Sequence, residues 1–222
     1  LYCARGGRRS AIAQQWIRAA SGMHPPRLDG GYKRLRNQAL DWLEHDALQS
    51  QPILLGGRTG VGKTALLSTL PQAIDLEGLA GHRGSAFGRL LEPQPTQANF
   101  ENQLAAALIR HHQSNHRYLL VEDEGKHIGK RFIPRAFAEH LSQAPRVILS
   151  ASQARRVETI YREYVTAAQQ RYTEAFDSAG LHTWNTDMQK SLQRIRKRLG
   201  SARYTEIAGL MQRAAEHQLA TG

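Results

Sequence analysis

Between residues 52 and 150, short apolar runs alternate with segments in which apolar residues recur every three or four positions. The short runs predict buried strands, and the wider spacing predicts amphipathic helices. The predicted strands cover residues 53–55, 73–76, 118–122 and 146–150. The predicted helices cover residues 63–70, 99–112 and 134–143. Strands and helices in alternation favour an α/β fold, in which a parallel sheet is flanked by helices.

The two ends of the chain lack this alternation. Residues 9–20 and 33–47 are predicted helices, with glycine and proline turns and a short strand at 27–29 between them. Beyond residue 153 the pattern is helical: one stretch reaches residue 177, a second begins at the capping box Thr186-x-x-Gln189, and a third covers 203–218. With a boundary at 49–52, the chain divides into residues 1–50, an α/β core of 51–152 and a helical C-terminal part of 153–222.

The first predicted strand leads into a glycine-rich loop that matches the pattern Gly-x4-Gly-Lys-[Ser/Thr]. Its residues are Gly57, Arg58, Thr59, Gly60, Val61, Gly62, Lys63 and Thr64. The glycines let backbone N–H groups turn towards phosphate oxygens, and the following helix adds its partial positive charge. Lys63 is expected to reach the terminal phosphate, and Thr64 to contact Mg²⁺. A turn that only caps a helix is the alternative, but the strand before it and Lys-Thr after it favour a polyphosphate- or diphosphate-binding loop.

Charged residues also follow two later strands. The run 118–124 ends in three acids and has the form of a Walker B strand, so Asp123 and Glu122 are the leading candidates for the magnesium shell. The long segment after the second strand brings Asp75 and Arg83 to the edge of the sheet where ligands bind. Asp75 is expected to touch magnesium through water, and Arg83 to neutralise a leaving diphosphate. The alternatives are a solvated strand end and a plain connecting loop.

The charge of the chain is strongly positive, with 30 Lys and Arg against 19 Asp and Glu, a net charge of +11. Residues 126–222 hold 16 of these cations and eight of the acids, a net charge of +8, which favours a polyanionic partner. Tyrosines are interleaved with basic residues there, which suits phosphates and stacked bases. The candidate nucleic-acid residues are Arg155, Arg156, Arg162 and Arg171. A solvated helix that packs its tyrosines on the core is the alternative. No apolar run has the length of a membrane span, and a cytoplasmic protein is expected.

Cys3 is the only cysteine, which excludes an intrachain disulfide and a cysteine-rich zinc site. It begins a glycine turn that runs into a predicted helix, with Arg5, Arg8 and Arg9 nearby. Backbone N–H groups and cations both stabilise a thiolate, the reactive form of the side chain. Cys3 is therefore either an inert thiol or a nucleophile that carries sulfur or selenium, and its surroundings favour the nucleophile.

The loop Cys-x5-Arg-Ser, followed by Leu-Asp-Gly-Gly-Tyr at 28–32, resembles the last third of a rhodanese domain. A rhodanese tail joined to a P-loop domain resembles one family, the bacterial tRNA 2-selenouridine synthases. The matching segments cover positions 2 to 124 in order and read YCARGGRRS, LDGGYKRLR, GGRTGVGKT, DLEGLAGHRGSAFG, QPTQANFEN and VEDE. The resemblance implies an α/β P-loop sheet, with a rhodanese remnant before it and a basic helical region for tRNA after it.

The resemblance also implies a transferase with two steps. The sulfur of a wobble 2-thiouridine in tRNA attacks geranyl diphosphate, and selenium from selenophosphate then replaces the geranylthio group. The phosphate loop, Lys63, Mg²⁺ and Arg83 would stabilise the departing diphosphate. Cys3 matches the rhodanese cysteine and would serve the selenium step. The family has a rhodanese sheet before this cysteine, and here Cys3 is the third residue. We therefore expect the chain as given to bind prenyl diphosphate and tRNA but to selenate poorly.

Two other interpretations stay open from the residues alone. The phosphate loop is equally compatible with an ATP-dependent kinase or an ATPase, whereas the absence of an Asn-Lys-x-Asp segment argues against a GTPase. The second interpretation is a non-catalytic RNA-binding module that uses the phosphate loop as an anchor.

Overall fold

Six short strands occur in the computed structural model, which describes residues 1–45 and 50–221. They are β1 (Gln51–Gly56), β2 (Ala73–Ile74), β3 (Tyr118–Glu122), β4 (His127–Ile128), β5 (Arg131–Phe132) and β6 (Arg146–Ile148). Four of them form a parallel sheet in the order β2–β3–β1–β6. In its central pair, Gln51 lies opposite Tyr118 and Leu55 opposite Glu122. The predicted α/β sheet is confirmed.

Helices flank this sheet and make up the C-terminal part of the described chain. They are α1 (Arg8–Ser21), α2 (Gly31–His45), α3 (Lys63–Leu67), α4 (Leu76–Ala80), α5 (Gln97–Gln113), α6 (Arg135–Ser142), α7 (Gln153–Ile160), α8 (Ala167–Phe176), α9 (Gly180–Arg194), α10 (Arg196–Leu199) and α11 (Ser201–Thr221). A π-helical segment, Tyr161–Thr166, joins α7 to α8, and a 3₁₀ turn, Asp177–Ala179, joins α8 to α9. No described helix combines the length and the apolar character that a membrane crossing requires.

The hydrophobic core lies between the sheet and α2, α5 and α6. In α5, Phe100, Leu104 and Leu108 follow one another at intervals of four and are almost completely buried, because this spacing keeps them on one face of the helix. The Thr96 side chain begins this helix by accepting a hydrogen bond from the Asn99 N–H group. The core therefore fixes β1 and β3, and with them the loops at their carboxyl ends.

Two predictions about elements were wrong, and one strand was predicted two residues too long. Residues 27–29 form no strand, although the Leu28 N–H group donates to the Leu1 carbonyl oxygen. The second sheet strand stops at Ile74, because the Asp75 side chain accepts from the Gly78 N–H group and begins α4. Helix α9 begins six residues before Thr186, whose hydroxyl donates to the His182 carbonyl inside the helix.

The remaining helix and strand predictions agree with the structure to within three residues at each end, as far as the chain is described. The predicted end of the second helix at residue 47, and the first residue of the boundary at 49–52, lie outside the described residues. The antiparallel hairpin of β4 and β5 was not predicted, because strands of two residues have no detectable period.

Candidate functional site

The phosphate loop leaves the sheet at its centre, since β1 pairs with β3 on one side and with β6 on the other. Gly57, Gly60 and Gly62 have φ angles of 141°, 83° and 94°, a region that favours glycine. A Cβ atom on Gly57 would also lie 2.7 Å from the Leu149 carbonyl oxygen. The Lys63 ammonium donates to the Gly57 carbonyl oxygen over 3.0 Å. The lysine therefore spans the loop from which phosphate oxygens would be bound.

A cavity of about 250 Å³ opens over this loop, and we call it the phosphate pocket. All eight residues of the predicted loop line it, and Arg83 and Ser85 line it as well. The remaining lining residues are Glu77, Gly84, Glu124, Thr159, Glu163 and Tyr164. The structure thus brings the predicted phosphate ligands and Arg83 together, although these segments lie 19 or more residues apart in the sequence.

Arg83 is held at the rim of the phosphate pocket by the C-terminal helical part. Its guanidinium donates to the Glu163 carbonyl oxygen over 2.9 Å and lies 4.9 Å from the centre of the Tyr164 ring. The Arg83 N–H group donates to the Gly88 carbonyl oxygen over 2.8 Å, which closes a tight loop. The positive charge is thus positioned beside the phosphate loop without a carboxylate in close hydrogen-bonding contact; the Glu163 carboxylate lies 3.9 Å away.

Three acidic residues line the phosphate pocket: Glu163, which lies beside Arg83, and the adjacent pair Glu124 and Glu77. Burial, followed by contact with Glu77, raises the pKa of Glu124 to about 8, and the charge of Lys63 opposes this rise. A Cβ atom on Gly84 would lie 2.5 Å from Glu124 and 2.6 Å from Glu77, so both carboxylates pack on the bare backbone there. Sequence analysis left Glu124 as one of three acids and missed Glu77, which lies inside the segment DLEGLAGHRGSAFG.

The three carboxylates predicted for magnesium do not line the phosphate pocket. Glu122 is buried and accepts from the Leu76 N–H group over 2.9 Å, and burial followed by contact with Asp75 raises its pKa to about 9. Asp75 begins α4, and Asp123 forms a 3.1 Å ion pair with Arg146. Of the predicted magnesium residues, only Thr64 lies in the pocket.

The pocket offers oxygen donors to a divalent cation, but few of them. Thr64, Glu77 and Glu124 line the phosphate pocket together, and hydroxyl and carboxylate oxygens are the ligands that Mg²⁺ prefers. Within the part of the chain that the structure describes, no group of three or more His, Cys, Asp and Glu side chains could hold a metal ion. Magnesium fits these residues in the way it binds phosphates, with phosphate and water oxygens completing its shell.

A second, mainly apolar cavity of about 510 Å³ adjoins the phosphate pocket, and we call it the apolar cavity. Thr59, Ser85 and Tyr164 line both. The other lining residues are Phe87, Ile160, Tyr161, Val165, Trp184, Asn185, Met188, Met211, Ala214 and Gln218. Sequence analysis did not find this cavity, and the spacing of Trp184 and Met188 on one face of a helix was the only local signal.

Cys3 lies in the loop that leads into α1, and its Sγ atom is 3.4 Å from the Ser10 Oγ atom. Hydrogen bonds from the Ser10 side chain, and then from its backbone, lower the pKa of Cys3 from the usual value near 9 to about 6. The segment LDGGY packs on this loop, since the Tyr32 N–H group donates to the Cys3 carbonyl oxygen over 3.0 Å. The open concavity at Cys3 shares no residue with the phosphate pocket.

The four arginines predicted for nucleic acid differ in what they contact. The Arg156 Nε atom donates to the Thr59 carbonyl oxygen over 3.0 Å and so supports the phosphate loop. Arg171 lines a small cavity together with Arg83. Arg155 and Arg162 are exposed.

Comparison with known proteins places the chain in a family. Three curated relatives are each named tRNA 2-selenouridine synthase: one from Sulfurovum sp. (strain NBC37-1) is 47% identical over 98% of the chain, one from Cronobacter sakazakii 45% over 100%, and one from Cupriavidus pinatubonensis 42% over 100%. The chain spans about 60% of the length of each of these proteins. No solved structure matches it. Because the family model of the tRNA 2-selenouridine synthase AAA domain matches residues 50–222, the chain belongs to that family.

Proposed function

We propose that this protein is a transferase that converts wobble 2-thiouridine in tRNA to 2-selenouridine through an S-geranyl intermediate. Its co-substrates are geranyl diphosphate and then selenophosphate. The observation that carries the proposal is the junction of the phosphate pocket with the apolar cavity at Thr59, Ser85 and Tyr164. The names of the relatives support the tRNA part of the proposal.

An allylic diphosphate has one end for each cavity. Its diphosphate fits the loop N–H groups, Lys63 and Arg83, and its hydrocarbon chain fits an apolar cavity of about 510 Å³. That volume lies within the range of about 300–1,000 Å³ that small-molecule sites occupy. The carbon that bears the diphosphate would then lie near Thr59, Ser85 and Tyr164, where an attacking sulfur atom approaches it.

In the first step the sulfur of 2-thiouridine forms a bond to this carbon, and the carbon–oxygen bond breaks. The diphosphate leaves with the bonding electrons, and the N3 proton of the base is released. Positive groups aimed at the developing charge lower the barrier, because they need no reorganisation during the reaction. Lys63 and the loop N–H groups supply this stabilisation, and Arg83 adds to it from the rim.

A magnesium ion held by Thr64 together with Glu77 or Glu124 would supply further charge to the diphosphate. Without this ion, the side chains of Glu77 and Glu124 would face the phosphate groups in the same pocket with no metal ion between them. Because burial and Glu77 raise the pKa of Glu124 to about 8, a cation that binds this carboxyl at neutral pH would displace a proton from it, and the charge of Lys63 favours that loss.

In the second step the selenium of selenophosphate forms a bond to C2 of the base, the C2–sulfur bond breaks, and geranylthiolate leaves with its electrons and takes up a proton. Water then cleaves the selenium–phosphorus bond and releases phosphate. We assign Cys3 to this step, since its lowered pKa makes it a thiolate at neutral pH. Its concavity is separate from the phosphate pocket. Loss of selenation without loss of geranylation is therefore the expected phenotype of Cys3→Ala. A Cys3→Ala variant that selenates as the parent does contradicts this role of the thiol.

Mass spectrometry of the nucleosides tests the proposal. A tRNA that contains 2-thiouridine is incubated with geranyl diphosphate and then with selenophosphate, using this chain and a full-length relative in parallel. We expect S-geranyl-2-thiouridine with both proteins. Lys63→Ala should abolish the geranylated product, whereas Lys126→Ala, at an exposed position, should leave it unchanged.

Absence of both modified nucleosides with the full-length relative as well as the chain would reject the proposal. ATP hydrolysis without either product would favour a kinase or an ATPase, and binding of tRNA without any chemistry would favour an RNA-binding module. Competition at the phosphate pocket separates the first two possibilities, because geranyl diphosphate should displace a fluorescent prenyl diphosphate and ATP should not.

A further inference from the structure

A dense group of cations lies where α9 ends, α10 runs and α11 begins. We call it the basic corner, and it consists of Arg194, Arg196, Lys197, Arg198 and Arg203. Between residues 188 and 205 there are six Lys and Arg and no Asp or Glu. The corner lies inside residues 153–222, the basic helical region that the resemblance implies for tRNA, but apart from the four arginines predicted there for nucleic acid, which belong to α7, the π-helical segment and α8.

Most of these positive side chains form no ion pair among the described residues. Lys190, just before the corner, pairs with Asp187 over 3.2 Å, and Arg194 donates to the Ser191 hydroxyl. Arg196, Lys197, Arg198 and Arg203 are exposed, and none of the four forms an ion pair among the described residues. Arg196 lies 5.1 Å from the centre of the Tyr204 ring, which holds the guanidinium in place.

A helix end does not require so many cations. One or two positive side chains satisfy the partial negative charge at the end of α9, and the effect fades within one turn. Additional like charges on adjacent positions repel one another. Exposed cations without acidic partners that repel one another favour the binding of a polyanion, because binding releases the counterions of its phosphates.

The basic corner also lies beside the proposed reaction site. Arg194 follows Met188, which lines the apolar cavity, by six residues of one helix, a distance of about 9 Å. The pKa of His82 is lowered, first by burial and also by the charge of Arg194, while Glu77 opposes the shift. Arg194 is therefore close to the segment that carries Arg83 and Ser85.

We propose that the basic corner binds the sugar–phosphate backbone of a structured RNA, so that a base of the same RNA reaches the junction of the two cavities. That this RNA is tRNA rests on the proposed function. Backbone binding itself does not, because it needs neither the prenyl donor nor any chemistry. Contacts to phosphates position an RNA without reading its sequence, so the corner should bind related stem–loops equally well.

The test compares two triple variants with the same change in charge. The corner variant is Arg196→Gln, Lys197→Gln and Arg198→Gln. The control is Arg110→Gln, Lys126→Gln and Lys130→Gln, at exposed positions away from the corner. Binding of an unmodified tRNA transcript is followed by fluorescence anisotropy between 50 and 200 mM salt. Circular dichroism checks that both variants are folded.

We expect the corner variant to bind tRNA roughly tenfold to a hundredfold more weakly, with a salt dependence reduced by about two to three ions. The control should lose much less. Equal losses in the two variants would overturn the proposal, because they would indicate general attraction to a basic protein. Undiminished tRNA binding by the corner variant would overturn it as well, and so would stronger binding to anionic lipid vesicles than to tRNA.

Binding of fluorescent prenyl diphosphate separates the two proposals. The corner variant should bind it as the parent does, since none of the three residues lines the phosphate pocket or the apolar cavity. If the corner variant loses tRNA binding but no nucleoside is modified in any reaction, the RNA-binding surface is supported and the proposed function is contradicted. If modification occurs and the corner variant modifies tRNA normally at low tRNA concentration, the function stands and the surface fails.

Discussion

Replacement of Gly88 by alanine should disable the phosphate pocket without any change to a residue that lines it. Gly88 is buried, and a Cβ atom there would lie 1.5 Å from the Arg83 carbonyl oxygen. Ordinary contact needs about 3.5 Å, so the two backbones must separate by about 2 Å. The added methyl group therefore acts directly on the segment that carries Arg83 and Ser85.

The expected size of the effect follows from the contacts that this separation breaks. The Arg83 N–H group donates to Gly88 over 2.8 Å, and the Gly88 N–H group donates to Ser85 over 2.9 Å. Each backbone hydrogen bond is worth about 0.5–1.5 kcal/mol, so the free energy of unfolding should fall by roughly 1–3 kcal/mol. A displacement of about 1 Å can reduce a reaction rate about a hundredfold, so geranyl transfer should fall by at least that factor.

Gly125→Ala is the matched control, because Gly125 is exposed and a Cβ atom there would meet nothing within 4 Å. Urea unfolding gives the stability of each variant, and calorimetry with pyrophosphate reports the phosphate pocket alone. If Gly88→Ala binds pyrophosphate as tightly as the parent, the packing argument is refuted. Equal losses in Gly125→Ala would show that any alanine near the site is harmful.

Three further predictions test other parts of the molecule. Ser10→Ala should raise the pKa of Cys3 from about 6 towards the usual thiol value, and so slow the alkylation of this single thiol at pH 7; an unchanged pH profile of alkylation contradicts the assigned cause. The pKa of Glu122 is raised to about 9 by burial and then by Asp75, so its contribution to stability is complete below about pH 4.5 and is lost as the pH rises towards 9. Glu122→Gln should therefore lose less stability than the parent between pH 5 and 9 in urea titrations, and parallel curves would contradict this. Phe100→Ala should lower the free energy of unfolding by roughly 3–5 kcal/mol, and Leu210→Ala, at a half-exposed position, by about 0.5 kcal/mol; similar losses would show that Phe100 is not a core residue.

The phosphate loop could be predicted because everything it needs is local. One apolar strand, three glycines with positive φ and the start of a helix follow one another within 17 residues, from Gln51 to Leu67. Arg83 could be placed near it only through the rule that ligands gather at the carboxyl ends of parallel strands.

The choice among the acids could not be made in the same way. Glu122, Asp123 and Glu124 are consecutive, and which of them faces the phosphate loop depends on where β3 stops and how the chain turns. Glu77 lines the phosphate pocket because it lies in the first turn of α4. This helix begins at Leu76, since the Asp75 cap ends the strand two residues sooner than predicted. An error of two residues in one boundary thus hid Glu77.

The apolar cavity was beyond sequence reasoning for a different reason. Its walls come from the phosphate loop, the segment after α4, the end of α7, the π-helical segment, α9 and α11, which span residues 59 to 218. No periodic pattern connects such distant positions. Only the packing of α9 against α8 and α11 brings them together.

The π-helical segment interrupts what is otherwise one unbroken helix over residues 153–176. Each residue of an α-helix turns the chain by about 100°, and the wider π turn holds one residue more than an α turn does. The segment therefore shifts the phase of the helix. Before it, Arg156 and Ile160 face the phosphate loop; after it, Tyr172 faces α9, where its hydroxyl binds Asp187. The alignment of the two cavities thus depends on the number of residues here as well as on their identity, and the deletion of a single residue would turn α9 and α11 away from the phosphate loop.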